Sequence, residues 1–132
     1  MGVLHLEFCM LLADLQRQAG RKFFFEHPKT AISWHQNKVI AMVENPHTHI
    51  ADFDMCAFGK TSKTNQGYFK KPTKVMTNSS HIHEQLHKRM CPRDHVHCII
   101  QNTEGGQKRS TWAQIYPQKL CQAVARGIQR ET

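Results

Sequence analysis

The feature that most constrains the fold is the run "RKFFFEHP" at residues 21–28. Three consecutive phenylalanines, bounded by charged residues and by Pro28, are typical of a short strand that is buried on both faces. Apolar residues at helical spacing occur on both sides of this run. A short strand between helices predicts an α/β domain, in which helices pack on a sheet in three layers.

The neighbouring segments predict the other elements of that domain. Residues 5–20 predict a helix that ends at Gly20, with an apolar face comprising Leu4, Phe8, Leu11, Leu12 and Leu15. A second helix is expected over residues 30–45, capped by Ser33 or Thr30. The remaining elements are expected in this order: strands over 47–59 and 72–78, a short helix over 79–90, a flexible turn over 102–109 and a closing helix over 110–129. Pro117 is a position at which this last helix can break or restart.

These elements, in the order α-β-α-β-β-α plus a closing helix, fit a single domain over residues 1–132. They predict a partial Rossmann-like sheet of about three to four strands flanked by helices. The chain opens on a helix, and the strand that would precede this helix in such a fold is missing. We therefore expect a fragment or relic of a larger domain.

The charge of the chain indicates its class of partner. Eighteen Lys and Arg stand against ten Asp and Glu, a net charge of +8, which favours binding to DNA or RNA. The sequence has neither a signal-peptide pattern nor an apolar run of ~18 residues, so no membrane association is expected. Five irregularly spaced cysteines suit reduced thiols. An intracellular protein, nuclear or cytoplasmic and not secreted, is therefore expected.

The stretch "MCPRDHVHC" at residues 90–98 predicts a metal site. Cys91, His95 and His97 form a C-x₃-H-x-H pattern, and in an extended segment the two histidines point to the same side. A fourth ligand must come from elsewhere, with Cys56 or Cys98 as the candidates. We expect zinc bound by Cys91, His95, His97 and Cys56. The alternative is a loop in which polar histidines lie beside a buried cysteine.

A basic segment that also contains aromatic residues is the candidate nucleic-acid surface. Lysines can contact phosphates there, and Tyr68 or Phe69 can stack on a base. The alternative is a solvated basic loop. The residues expected to contact nucleic acid are Lys60, Lys63, Lys70, Lys71, Lys74 and Arg89.

Glu26 and His27 follow the phenylalanine run and are candidates for ligand contact. The carboxyl end of a buried strand in an α/β sheet is where ligands bind, and a carboxylate there can accept a hydrogen bond from a base amine. The alternative for Glu26 is an ion pair with Arg21 or Lys22. His27 could act as a general acid or base, or could be a structural polar residue.

Longer stretches of the chain resemble a known group of proteins. The stretches are "HLEFCMLLADLQRQAGRKFFFEHPKTAISW", "DFDMCAFG", "KKPTKVMTNS" and "CPRDHVH". They resemble a region of polyproteins encoded by copia-like retroelements of algae and other protists. That region is similar, more distantly, to the second half of the cytosine-5 DNA methyltransferase fold.

The resemblance implies roles for some residues and the loss of others. It places Glu26 where the family holds its target cytosine, with His27 and Pro28 departing from the family's pattern. Phe58-Gly59 and the lysines from Lys70 to Lys74 stand loosely where the family supports its base-binding loop. The family's Pro-Cys nucleophile and its S-adenosylmethionine-binding loop are absent from this sequence, so this chain alone is not expected to bind that cofactor or to methylate.

The sequence therefore predicts a nucleic-acid-binding, catalytically incomplete methyltransferase-like domain of mobile-element origin, stabilised by zinc. Two alternatives remain open. One is a small metal-dependent nuclease that uses the histidine-rich segment, although only Asp94 supplies a nearby carboxylate. The other is an interaction module that completes its sheet with a partner, either as a homodimer or with the missing upstream half of the same polyprotein.

Overall fold

The sheet at the centre of the molecule has three strands. The computed structural model describes residues 2–131, in which β1 (Phe24–Pro28), β2 (His49–Asp54) and β3 (Pro72–Thr77) form one sheet in the order β1-β3-β2. β3 pairs antiparallel with both neighbours, so β1 and β2 run parallel to each other on its two sides.

Five helices, two 3₁₀ turns and a small hairpin surround this sheet in the described part of the chain. The helices are α1 (Val3–Gln18), α2 (Asn37–Val43), α3 (Ser80–Leu86), α4 (Arg109–Trp112) and α5 (Gln118–Arg130). The 3₁₀ turns span Ile32–His35 and Met55–Phe58, and the hairpin pairs β4 (Thr103–Glu104) with β5 (Gln107–Lys108). None of the described helices has the length and apolar composition that a membrane span requires.

Apolar residues cover both faces of the sheet, because successive side chains of a strand point to opposite sides. On one face, Met76 belongs to a cluster with residues of α1, α2 and the first 3₁₀ turn. On the other face, Val75 and Ala51 belong to a cluster with α3 and α5. The expected mixed α/β domain with helices on both sides of a sheet is therefore present. The sheet is small and antiparallel, so it does not by itself show a Rossmann-like arrangement.

Helices α3 and α5 pack closely through a glycine. A Cβ atom added at Gly127 of α5 would lie 2.7 Å from the Cα of Ile82 in α3 and 2.9 Å from its amide nitrogen. Real Cβ atoms do not approach backbone atoms this closely, so Gly127 allows the two helix backbones to approach each other. Ser79 caps α3, since its hydroxyl accepts a hydrogen bond from the Ile82 amide at 3.1 Å.

The apolar face expected for α1 is exposed. Leu4 is 82% exposed, Phe8 56% and Leu15 50%, whereas Leu6 and Met10 are buried against the sheet. Apolar residues occupy more than one side of this helix, and both sets have helical spacing. Periodicity alone therefore could not select the side that packs, and the prediction of the buried face was wrong. The expected end of the helix was right, because Gly20 follows it with a left-handed φ of 73°.

Three local predictions also need correction. The expected closing helix over residues 110–129 is divided into α4 and α5, with Pro117 at the start of α5. The expected helix over residues 30–45 is divided at Gln36, whose side-chain oxygen accepts hydrogen bonds from the Lys38 and Val39 amides and so caps α2. The expected flexible turn over 102–109 is the β4–β5 hairpin, in which Gly105 and Gly106 both adopt positive φ.

Candidate metal centre and nucleic-acid surface

The four residues expected to bind metal come together. The ligand atoms of Cys56, Cys91, His95 and His97 all lie within 4.8 Å of one another. The Cys91 Sγ lies 3.5 Å from His95 Nε2 and 3.4 Å from His97 Nε2, and the two Nε2 atoms are 3.2 Å apart. These residues could therefore hold a metal ion between them.

The end of strand β2 positions the two cysteines. Cys56 lies on the 3₁₀ turn that follows β2 and is buried. Asp54, also buried, accepts a hydrogen bond from the Cys91 amide at 2.9 Å. Asp54 thus connects two segments that lie more than thirty residues apart in the sequence and brings Cys91 to Cys56.

Two neighbours orient the ring of His95. The Nδ1 atom of His95 lies 3.0 Å from the Asp94 carboxylate, and Tyr68 stacks on the ring with centroids 3.9 Å apart. A carboxylate at Nδ1 favours a proton on that nitrogen and leaves the Nε2 lone pair free to bind a metal. The Nε2 atom is also the one that faces Cys91 and His97.

Backbone pairing with Tyr68 places His97. The Tyr68 amide donates to the Val96 carbonyl at 2.8 Å, and the Cys98 amide donates to the Tyr68 carbonyl at 2.9 Å. Because of this pairing, residues 96–98 are extended beside Tyr68. An extended backbone is the condition under which His95 and His97 point to the same side. Cys98 is outside the cluster, where its Sγ packs against the backbone at Gly67.

The environment of Cys56 opposes its ionisation in the absence of a cation. Burial, followed by a hydrogen bond with Cys91, raises the pKa of Cys56 to about 12. Metal binding by cysteine requires the thiolate, and a bound cation lowers the pKa of a coordinating thiol. Proton release from this thiol is therefore expected to accompany metal binding.

Lys60 is not available for the phosphate contact expected of it. Its side chain is buried, and its ammonium donates to the Trp112 carbonyl at 2.8 Å and to the Ile115 carbonyl at 2.7 Å. Burial, with a smaller effect of Lys71, lowers its pKa to about 8. The expectation that Lys60 contacts a phosphate was wrong, because its ammonium donates to one carbonyl at the end of α4 and one just after it.

The other expected phosphate contacts differ in how available they are. Lys71 donates to the Ala113 carbonyl at 2.8 Å, and Lys74 lies over the ring of Trp34 at 5.3 Å, so both have partners within the protein. Lys63, Lys70 and Arg89 are exposed. Within residues 2–131 these three side chains form no ion pair.

Glu26 and His27 point to opposite faces of β1 and do not form one site. The Glu26 carboxylate accepts a hydrogen bond from the Tyr116 hydroxyl at 2.7 Å, and not from Arg21 or Lys22. Burial, together with this hydrogen bond, raises the pKa of Tyr116. The His27 ring stacks on Phe25 and its Nδ1 lies 2.6 Å from the Ser33 hydroxyl, which is the structural role considered for it.

The supporting roles of several residues were not predicted from the sequence. Asp54, Tyr68 and Asp94 orient metal-site residues, and among them only Asp94 carried a signal, since it directly precedes His95. Glu104 is another: it is buried and accepts hydrogen bonds from the Thr64 amide at 2.6 Å and from Arg109 at 2.9 Å. No family model, curated protein or solved structure matches this chain.

Proposed function

We propose that this chain is a nucleic-acid-binding, catalytically incomplete methyltransferase-like domain of mobile-element origin whose cationic surface is organised by a zinc ion. The observation that carries the proposal is the position of exposed cations beside the metal-ligand cluster. The Cys56 amide donates to the Lys70 carbonyl at 3.5 Å, and the Asp54 amide donates to the Arg89 carbonyl at 3.0 Å. A metal ion at the cluster would therefore stabilise the backbone that carries both cations.

Zinc is the ion that this donor set favours. Two thiolates and two imidazoles are a common structural zinc set, and softer ligands of this kind select against magnesium and calcium. Zn–S bonds of about 2.3 Å and Zn–N bonds of about 2.0–2.1 Å in a tetrahedron place the ligand atoms roughly 3.3–3.8 Å apart. The separations of 3.2–3.5 Å among the ligand atoms of Cys91, His95 and His97 are close to that geometry, and Cys56 completes the set within 4.8 Å.

Four protein ligands favour a structural ion over a catalytic one. Catalytic zinc sites keep one coordination position for water or substrate, whereas closed four-ligand sites stabilise a fold. The Asp94 carboxylate, considered as a nuclease residue, is engaged with His95 Nδ1 at 3.0 Å. The arrangement thus favours a structural zinc over a metal-dependent nuclease.

The methyltransferase-like part of the proposal rests on the resemblance of the sequence, since Glu26 lies in the middle of the edge strand β1 and not at the carboxyl end of a buried strand. Glu26 lies on β1, partly buried, and Tyr116 holds its carboxylate through a hydrogen bond. A carboxylate held in this way is suited to accept a hydrogen bond from a base amine. Methyl transfer and S-adenosylmethionine binding are not part of the proposed function.

The proposed function is tested by measuring oligonucleotide binding of zinc-loaded protein as a function of salt. A fluorescein-labelled 20-nucleotide DNA or RNA should bind with an affinity that falls steeply as salt increases. The variant Lys63→Gln/Lys70→Gln should bind more weakly, and the slope of log affinity against log salt concentration should fall by up to about two. The control Lys38→Gln/Lys108→Gln should change both the affinity and the slope less. Salt-insensitive binding, or no binding at all, would contradict the proposal.

A second candidate function is self-association, and the exposed side of α1 favours it. Leu4, Phe8, Leu11 and Leu15 are all about half exposed or more, and their four-three-four spacing matches a coiled-coil seam. Contiguous exposed apolar side chains of this kind are candidate interaction surfaces, and a second copy of the chain could cover them. Light scattering should then give a dimer that Phe8→Glu/Leu15→Glu converts to a folded monomer. A wild-type monomer at 100 μM would exclude this candidate.

A further inference from the structure

A cationic groove lies beside the turn that carries Cys56. Three elements line it: the turn Met55–Phe58, helix α3 with the segment that follows it, and helix α5. Its volume is about 330 Å³. The lining side chains are Phe58, Gln85, Arg89, Lys119, Gln122 and Arg126, with no carboxylate among the described residues that line it.

Helix α5 contributes three of the polar side chains of the groove, and all three lie on one side of the helix. Lys119, Gln122 and Arg126 follow one another at i, i+3 and i+7, so they share one side of the helix. Arg126 Nε donates to Gln85 Oε1 at 3.0 Å, which connects the guanidinium to α3. That bond uses one N–H group of Arg126 and leaves others for an external acceptor.

The charges of this groove are not neutralised within the described chain. Residues 2–131 form no ion pair with Arg89, Lys119 or Arg126. A second basic hollow of the molecule differs in this respect, because its Arg17 pairs with Asp14 and its Lys22 with Glu131. Three unpaired cations within one groove create a positive potential that an anion would relieve.

The groove and the metal cluster share structural elements. Cys56 lies between Met55 and Ala57 on the turn that forms one wall, and Arg89 is only two residues before Cys91. The position of Arg89 is further held by its carbonyl, which accepts a hydrogen bond from the Asp54 amide. Occupation of the metal site would therefore stabilise one wall of the groove and one of its three cations.

We propose that this groove binds the phosphodiester backbone of a nucleic acid, with Arg89, Lys119 and Arg126 contacting phosphate oxygens. Arg guanidinium groups match phosphate geometry through paired N–H donors, and Lys supplies a compact charge. The side-chain amides of Gln85 and Gln122 add donors and acceptors at the same surface. The inference rests on the proposed function and assigns two contacts, Lys119 and Arg126, which sequence reasoning did not find.

The test compares Lys119→Gln/Arg126→Gln with the control Lys38→Gln/Lys108→Gln, which removes the same charge from exposed positions elsewhere. Affinity of zinc-loaded protein for a fluorescein-labelled 20-nucleotide DNA or RNA is measured by anisotropy at several salt concentrations. The groove variant should lose roughly tenfold in affinity and about two units of salt slope, and the control should lose much less. Equal effects in the two variants would overturn the inference. Thermal unfolding of each variant identifies any loss that comes from misfolding.

The outcomes separate this inference from the proposed function. If the wild-type protein does not bind the oligonucleotide, both the proposed function and the groove assignment are contradicted. If Lys63→Gln/Lys70→Gln weakens oligonucleotide binding but Lys119→Gln/Arg126→Gln does not, only the assignment of the groove is contradicted. Inorganic phosphate is the remaining probe, and it should compete with the labelled oligonucleotide only at millimolar concentrations. Suppose that phosphate binds the groove at micromolar concentration and that the groove variant keeps its affinity for the oligonucleotide. The site would then be assigned to free phosphate, and the proposal that it binds a nucleic-acid backbone would be contradicted.

Discussion

The sheet with its helices and the segment around the metal-ligand cluster are held together in different ways. The sheet buries apolar side chains on both faces, and large residues such as Phe53 and Met76 are almost inaccessible. The segment from Lys88 to Asn102 contains no named helix or strand, and Val96 and Ile99 in it are largely exposed. It is connected to the rest by backbone hydrogen bonds, by Asp54 and by the approach of Cys91, His95 and His97 to Cys56.

This difference shows how a small domain can order a region that lacks a core of its own. Burial of apolar surface provides about 25 cal/mol per Å², so a segment with few buried apolar side chains gains little from it. A structural zinc ion can replace that contribution, because binding of the metal is coupled to ordering of its ligands. The two regions should therefore respond differently to substitution, and the expected responses follow in order of size.

The largest effect is expected from loss of a metal ligand. Cys91→Ser should abolish stoichiometric zinc binding and lower the free energy of local unfolding of residues 88–102 by several kcal/mol, because structural zinc contributes folding energy directly. Hydrogen exchange should become fast at residues 88–102, while amides of β3 stay protected. The control is Cys121→Ser, whose thiol is exposed and outside the cluster. Equal loss of protection in the sheet would show that the two regions are not separable in this way.

The contact between α3 and α5 provides the matching test of the sheet region. Gly127→Ala introduces a Cβ that would meet the Ile82 backbone at 2.7 Å, so the helices must separate, at a cost of about 1–3 kcal/mol. Chemical denaturation measures this loss, with Gln122→Ala on the exposed side of α5 as the control. Zinc stoichiometry should stay at that of the wild type. A variant as stable as the wild type would show that the two helices pack less closely than described.

A smaller effect is expected at the residue that orients His95. Asp94→Asn removes the charge 3.0 Å from His95 Nδ1 and should lower zinc affinity 10- to 100-fold, the usual range for such supporting partners. Competition with a chromophoric chelator measures the affinity. Glu84→Gln, which changes a carboxylate beside His81, is the control. Unchanged affinity in Asp94→Asn would mean that stacking on Tyr68 alone orients the ring.

The smallest effect is expected in how the stability conferred by Glu104 of the β4–β5 hairpin depends on pH. Burial acts to raise the pKa of Glu104, but hydrogen bonds from Thr64, Ser62 and Arg109 outweigh it and lower the pKa to about 2. A lowered pKa in the folded state means that the stabilising effect is fully present above about pH 4.5 and is lost as pH falls toward 2.

The difference in unfolding free energy between the wild type and Glu104→Gln should therefore be largest at neutral pH. It should shrink as pH falls from about 5 toward 2. Taking the difference removes the pH dependence that both proteins share, including that of the metal site. A difference that stays constant over this pH range would show that Glu104 ionises normally.

The clustering of Cys56, Cys91, His95 and His97 could be predicted because its signal is largely local. The C-x₃-H-x-H spacing determines which side chains share a side once the segment is extended, and Cys56 was one of two remaining thiol candidates. The buried face of α1 could not be predicted, because Leu6 and Met10 have the same periodicity as Leu4 and Phe8. The sheet, not the helix itself, decides which set is buried.

The role of Lys60 could not be predicted for a different reason. Its ammonium is held by carbonyls of Trp112 and Ile115, more than fifty residues away in sequence, and no local pattern marks such a contact. The basic groove was missed in the same way, because Lys119 and Arg126 acquire significance only when α5 packs beside the turn that carries Cys56. Charge composition indicated a polyanion partner but not which cations remain unpaired.

The most direct test of the zinc-organised surface is the metal content of the purified, untagged protein, measured by elemental mass spectrometry. About one zinc per chain is expected, bound by Cys56, Cys91, His95 and His97. A folded protein that contains no metal and takes up no zinc when titrated with it would contradict this interpretation. The segment from Lys88 to Asn102 would then be ordered by hydrogen bonds alone.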